Sequence, residues 1–526
     1  MASAARTRFT KKERSWILYD WANSVYATNI MAAIFPTIFV AFAGDQGDIW
    51  WGYGTSFATL VVALLAPVLG AIADYQGMKK KLFTLFMLLG VVFTASMAIT
   101  NDWRMMLVGY VISRIGFSGA NLFYDSFLTD ITTNERMDTV SSWGYAMGYI
   151  GGSTIPFVIS IAALMTLGYS NPFAQRFSIL IVPVWWLVFS IPFLKNVEQV
   201  HYIPRPERIS LKGIFGSILN TARDIAAQKG LLLFIIAYFF YIDGVGTVIS
   251  ISTAYGTALG LGATGMILAL LVTQIVAMPS SILFARLAKK ISTRRALMVA
   301  ISVYMFICFV GFIMGFTLEP HQSRYQDAFA LRRGAIVQQV EDAPWAQEES
   351  AQRALDQYLQ SASRAIVDDD SQALENLTLG LDDPALALSA EASLSAGLAN
   401  FAREEAEAIS GYQAAIRFST RLFWAMAILV GTMQGGIQAV SRSYFGKLVP
   451  KKRSNEYFGF FDIFGKFAAV IGPLLYAVIS NLTGRSSFGA LGLLGLFLLG
   501  FIFLLAAKKP LDALEAERAL ALSDQE

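Results

Sequence analysis

The stretch "GAIADYQGMKKK", residues 70–81, sets an aspartate and two glycines at the end of one apolar run and three lysines at the start of the next. The flanking runs, 51–73 and 81–100, match the ~20 residues that a helix needs to cross bilayer hydrocarbon. A short polar turn between two such runs is a hairpin of membrane helices, and its lysines mark the side on which the chain turns. Working outward, further runs of similar length cover 16–44, 104–130, 141–166 and 177–196 in the first part of the chain. Beyond it they cover 228–253, 260–286, 295–317, 416–440, 456–480 and 486–507.

The fold class implied is an all-α polytopic membrane protein with twelve transmembrane helices in two six-helix halves. Composition agrees: of 526 residues 55% are hydrophobic and 15% charged, with a mean hydropathy of +0.52, against about 25% charged in soluble chains. The first half is assigned to 1–200 and a linker to 201–227, where two prolines in "NVEQVHYIPRPERISLKG" oppose a continuous helix. The second half is split into 228–317 and 416–507, and a tail follows at 508–526. Between its two parts, 318–415 is acidic and free of lysine and reads as a soluble insert. Apolar residues at helical spacing predict two or three amphipathic helices there, with the acidic "VDDDSQALENLTLGLDDPA" as a loop.

The formal net charge of +3 averages a basic membrane part with that acidic insert. Basic residues form short loops without a clustered basic face, so nothing points to nucleic acid as a partner. They crowd the N-terminus, 77–81, the linker, 286–295, 442–453 and 508–509, whereas the alternate loops carry only Arg104, Arg176 and Arg485. The positive-inside rule then puts the linker, residues 201–227, and both termini in the cytoplasm and the insert outside it. The basic "MASAARTRFTKKERS" leads straight into an apolar segment with no small-residue cleavage pattern, which predicts a retained first span. A single cysteine, Cys308, excludes an intrachain disulfide.

An ionisable group deep in a bilayer costs several kcal/mol and normally faces a partner or a wet cavity. Counted at 1.5 Å per residue, Arg114, Asp243 and Lys466 fall near the midplane and Asp20, Asp125, Asp130 and Asp462 nearer the ends of their spans. Asp462 and Lys466 are one helical turn apart with the acid first, the order that favours a side-chain pair; they are either a self-neutralising couple or an anion anchor and gate. Arg114 and Asp243, one from each half, are either a static ion pair or the two ends of a site for a zwitterionic solute. Asp243 is the first candidate for a carboxylate that cycles a proton, and Asp20 the second. Tyr124, Tyr145, Tyr149, Tyr238 and Tyr241 lie in spans 4, 5 and 7, and Gln274, Gln434 and Gln438 put amides into spans 8 and 10. They are candidates for lining a polar cavity, though tyrosines also anchor spans at the interface.

The loop 70–81 resembles the signature between spans 2 and 3 of the major facilitator superfamily, carried here by Gly70, Asp74, Gly77, Lys79 and Lys80. "YVISRIGFSGAN", residues 110–121, is similar to the superfamily's fourth-span motif and centres on Arg114. "LYDWANSVYA", "NLFYDSFLTDI", "SSWGYAMGYIGG", "QAVSRSYFGKLVP" and "FGFFDIFGKFAAVIGPLLY" resemble the vacuole-effluxer branch, the autophagy-related amino-acid exporters of fungi and their bacterial relatives. The resemblance covers most of the chain outside 318–415. It implies a secondary transporter, one that exports amino acids, in the inner (cell) membrane of a bacterium. The branch motifs fall on Asp20, Trp21, Asn23, Tyr124, Asp125, Trp143, Tyr149, Arg442, Phe461, Asp462 and Lys466. Two departures stand out. The equivalent loop of the second half, "ARLAKKISTRRA", lacks the glycine and aspartate, which suggests asymmetric gating, and the insert lies outside the branch pattern.

The leading functional expectation is alternating access by a small polar or zwitterionic solute, coupled to protons, with the lipid bilayer as the protein's surroundings. A lipid, peptide or cell-wall fragment as cargo is one alternative, motivated by the insert. A receptor or scaffold that holds an extracytoplasmic partner through the insert is another. Nothing points to an enzyme, cofactor or metal: His201 and His321 fall on opposite sides of the membrane, and no Gly-Lys-Ser/Thr nucleotide loop occurs.

Overall fold

The computed structural model describes residues 8–44, 47–205, 211–341, 349–381 and 384–523. Among these residues it holds twelve helices long and apolar enough to cross a membrane. Spans 1–6 are Lys11–Ala43, Ile49–Ala73, Met78–Met97, Trp103–Ile131, Asn134–Leu167 and Pro172–Asn196. Spans 7–12 are Lys229–Ala258, Leu268–Ile291, Thr293–Gln338, Ala406–Leu448, Lys451–Thr483 and Ser486–Ala506. An even number of crossings returns the chain to the face it started from, termed here the basic end; the opposite face is the insert end.

Two spans differ from the hydropathy reading for a physical reason. The helix of span 9 continues to Glu341, and that of span 10 begins at Ala406, because each apolar run passes without a break into an alanine- and glutamine-rich stretch that favours helix. The insert therefore grows out of two membrane helices, and Glu349–Asp368 and Pro384–Glu404 pack between them. Its acidic connection is not wholly loop, since Ser371–Glu375 forms one turn capped by Asp370. Span 10 also runs past residue 440 to Leu448, so Arg442 is a helical residue and not part of a basic loop.

The linker is tied to the first half. Tyr75 and Ile203 form an isolated bridge, and Asp130 Oδ1 accepts from the backbone N–H of Val200 and His201. Leu211–Ala227 then forms a helix of its own. The tail helix, Lys508–Ser523, lies under spans 7 and 10, where Arg518 donates to Leu448 O and Gln228 Oε1.

Spans 1 and 5 each carry a π-helical stretch, Tyr26–Ala33 and Gly148–Thr154, where the chain holds one residue more per turn than an α-helix. Below them, toward the basic end, the first half is packed with aromatic rings: Tyr19 touches Phe83, Tyr124 and Phe193, and Trp16 stacks on Tyr124 at 4.4 Å.

Candidate functional site

Arg442 is the hub of a buried cluster that joins the two halves. It projects from span 10 with 4% of its surface exposed. Its Nη1 donates to Asp125 Oδ1 at 2.9 Å, its Nη2 to Asp20 Oδ2 at 3.3 Å, and its Nε to Ser141 Oγ at 2.9 Å. The guanidinium also lies over the rings of Trp16 and Tyr145, 4.6 and 4.5 Å from their centroids. Tyr124 donates to the same Asp20 oxygen at 2.7 Å. One cation thus faces two carboxylates in a setting that excludes most water, and the surrounding hydrogen bonds make such a group tolerable.

The close approach depends on small neighbours. A Cβ on Gly144 would sit 2.3 Å from Asp20 Oδ2, so span 5 can lie against span 1 only with glycine there. Beside Arg442, Ser441 shares a 2.7 Å hydrogen bond with Tyr241 of span 7.

A pocket opens next to this cluster. It is lined by Leu122 and Asp125 of span 4, Tyr238 of span 7, and Phe461, Asp462 and Lys466 of span 11, and holds ≈ 570 Å³ of non-atom space, its mouth included. Tyr238 stacks on Phe461 at 3.9 Å. Lys466 pairs with Asp462. The pocket therefore brings both charge signs and an aromatic wall to the seam between the halves.

Three further contacts close the seam at the basic end. Asp74 accepts from the N–H groups of Asn455 and Glu456, both at 3.0 Å, and from Asn455 Nδ2 at 2.7 Å. These are unsatisfied donors of the first turn of the span 11 helix, where a carboxylate also meets the positive end of the helix dipole. Burial pushes the Asp74 carboxyl up to about 7 against the opposing pull of Lys79 and those donors. Gly70 lets span 11 come so near: a Cβ there would lie 2.5 Å from Asn455 O. Lys79 of the loop signature is fully buried and pairs with Asp130 at 2.7 Å, while donating to Ser454 Oγ at 3.3 Å; Lys80 is half-exposed.

The second half answers with a different device. Ser292 stands before span 9 with φ 89 and ψ 150, whereas Gly77 stands before span 3 with φ 71 and ψ 2, so the second half enters its helix through a different turn that needs no glycine. The carboxylate missing from that loop is supplied by Asp138 of span 5, which accepts from Thr293, Ser443 and Lys447.

The remaining sequence candidates are dispersed. Arg114 donates to Tyr110 OH and Thr59 Oγ1 inside the first half, and Asp243 accepts from Gly472 N–H at 3.0 Å and from Thr247. Of the two alternatives for Arg114 and Asp243, the static ion pair is therefore not made. Asp243 instead holds span 11, accepting the N–H of the residue before Pro473, which lies inside that helix. Asn23 donates to Asn121 within the first half. Tyr149 lies against Gly435 of span 10, and Gln438 is half-buried on the same helix. His201 donates its Nδ1–H to Asp130 Oδ1 at the basic end, while His321 lies beside Gly411 at the insert end.

Sequence reasoning passed over Arg442 as a midmembrane charge because Lys447, Lys451 and Lys452 follow it closely and draw it into the loop. The signal present was the flanking "GGIQAVSRSYFG", in which small residues on both sides of the arginine permit a tightly packed helix.

Two six-helix halves that close over a buried charged cluster, with a carboxylate of one half on a helix N-terminus of the other, define a secondary transporter of the major facilitator superfamily. The chain belongs to the family described as "Vacuole effluxer Atg22 like", matched over residues 50–324 and 418–512; the gap between the two segments falls on the insert. It is 37% identical to an uncharacterized MFS-type transporter, YxiO, of Bacillus subtilis (strain 168), over 94% of this chain and 95% of that one. It is 19% identical to autophagy-related protein 22 of Eremothecium gossypii, over 96% and 90% of the two chains. Among solved structures, a bacterial homologue of the iron transporter ferroportin in an outward-facing state superposes with a TM-score of 0.56 at 12% identity, over 95% of this chain and 98% of that one.

Proposed function

We propose that the protein exports or exchanges a small zwitterionic solute, an α-amino acid in the first place, by alternating access driven by protons. The observation that carries this reading is the pocket at the seam, where Lys466 can meet a carboxylate, Asp125 and Asp462 an ammonium, and Tyr238 and Phe461 a side chain. A zwitterion can exchange its own ends for the Lys466–Asp462 pair, so neither partner is left buried and uncompensated. Asp125 lines the pocket and holds Arg442, which links solute to gate. A proton on Asp125 removes one of the two carboxylates that anchor Arg442 across the seam. The grip of the first half on span 10 then weakens, and the basic end can part. This moves the coupling role from Asp243, whose contacts serve span 11, to Asp125, with Asp20 as the second anchor.

The distribution of lysine and arginine supports a cytoplasmic basic end, and with it an extracytoplasmic insert and a bacterial inner-membrane location. The conformation described is then closed toward the cytoplasm. The insert would stand above the second half, available to an extracytoplasmic partner.

The test is counterflow by purified protein in liposomes loaded with single amino acids, with small peptides as a second pool. Accelerated exchange of one class of amino acid is the expected result. Silence across the amino acids together with exchange of peptides would replace the proposed solute.

A further inference from the structure

A second cavity lies inside the second half, away from the charged pocket. Spans 7 to 12 enclose ≈ 860 Å³ of non-atom space, its mouth included, span 11 through Tyr476 alone, with Thr253 and Leu270 exposed at the rim. Ala269, Gly311, Ala427 and Ala490 face it from four of those helices and keep it hollow. Interiors are otherwise close-packed, and a void forfeits dispersion contacts on every wall. At Gly311 an added Cβ would meet only Met426 Sδ at 3.7 Å, so larger residues would fit there without disturbing the backbone.

The hydroxyls in the wall turn back on the protein. Tyr255 donates to Gly311 O at 2.6 Å, Thr273 to Ala269 O and Ala427 O, and Ser252 to Ile249 O. What remains is hydrocarbon, the Thr253 hydroxyl at the exposed rim, the thiol of Cys308, and one side-chain amide in the interior. Gln434 is 7% exposed, and its Oε1 is, among the described residues of the lining, the buried polar atom without a partner. An amide oxygen left bare in such a place has lost its water without gaining a hydrogen bond in return.

We propose that this cavity is a binding site for an uncharged, largely hydrocarbon ligand that carries one hydroxyl or amide group, with the hydrocarbon on the apolar wall and the polar group on Gln434. The site is separate from the zwitterion pocket and does not depend on the reading given for it. A free small molecule and the acyl chain of a bilayer lipid both offer hydrocarbon, but only the former brings a donor to the level of Gln434.

The experiment uses the full chain in lipid nanodiscs and a diazirine-bearing alkylphenol as photolabel, with adducts located by mass spectrometry. Labelling is expected on the cavity walls of spans 7–10, with 4-hexylphenol competing. Hexylbenzene, which lacks the hydroxyl, should compete three- to tenfold less well, the worth of one hydrogen bond. Gln434→Met should erase that preference, and Gly311→Leu should remove the labelling while gel filtration shows the protein folded. Adducts spread over the lipid-facing surface, or unchanged in Gly311→Leu, would overturn the site. Equal competition by hexylphenol and hexylbenzene would overturn the polar-headed ligand and leave a cavity filled by lipid chains.

Discussion

Protonation of Asp74 should strengthen the closure of the basic end, opposite in sign to a proton on Asp125, and Asp74 supplies the magnitude. Buried against the span 11 helix, its carboxyl sits at about 7; once the halves part and water reaches it, the ordinary value of about 3.9 returns. The closed arrangement therefore holds an extra proton between those two values, so closure is favoured as pH falls through 7 and loses that support as pH rises past it. From pH 8 to pH 6 the closed-to-open ratio should rise about tenfold, or ~1.4 kcal/mol. Other charged groups lie near: Lys79 and Asp130 from the first half, and Arg453 and Glu456 from the second, with His201 of the linker on Asp130. Asp74→Asn isolates the effect, because the variant cannot titrate at that position. Spin labels at the exposed Gln76 and Lys452, in a Cys308→Ala, Asp125→Asn parent that removes the opposing proton on Asp125, report the separation of the halves by pulsed electron resonance. Acid should enrich the short-distance population in the parent and leave Asp74→Asn nearly flat. A parent that opens on acidification, or a variant that responds as strongly as the parent, would refute the reasoning.

Other substitutions test the seam. Arg442→Ala strands Asp20 and Asp125 in a buried site and should cost about 3–5 kcal/mol, read as a lower melting temperature in detergent, with Asp20→Asn and Asp125→Asn together recovering most of it. Gly144→Ala pushes a methyl against Asp20 and should lower transport at least tenfold, with a melting temperature reduced by the equivalent of about 1–3 kcal/mol. Asp243→Asn keeps an acceptor for Gly472 N–H, so gradient-driven uptake should stay within about threefold of the parent, the effect of weakening one hydrogen bond; its abolition would return the coupling role to Asp243.

Hydropathy made the twelve spans readable because a bilayer demands continuous apolar length, and that demand leaves its mark in the chain itself. It failed at the ends of spans 9 and 10, since a helix does not stop where its hydrophobicity does: Glu341 and Ala406 are reached on helix propensity alone. The same confusion hid Arg442, which hydropathy placed in a loop and packing places in a helix. Asp74 and Gly70 were legible as a motif, but not that Asp74 caps span 11, a partner 381 residues away. Depth counting put Arg114 and Asp243 at one level, but depth carries no information on which way a helix faces. The π-helical stretches at Tyr26–Ala33 and Gly148–Thr154 left no local signal beyond the glycines of the second, because a π-turn is held by packing between spans.

The central claim is that Asp125 links solute to the gate through Arg442. It is tested most directly by comparing proton-gradient-driven uptake with counterflow exchange for Asp125→Asn in liposomes, using whichever amino acid the parent exchanges. The prediction is that counterflow persists while uptake against the gradient falls to background, because the solute still binds and the halves still rock but no proton is carried. Unchanged gradient-driven uptake in Asp125→Asn, with the protein folded and inserted, would contradict it.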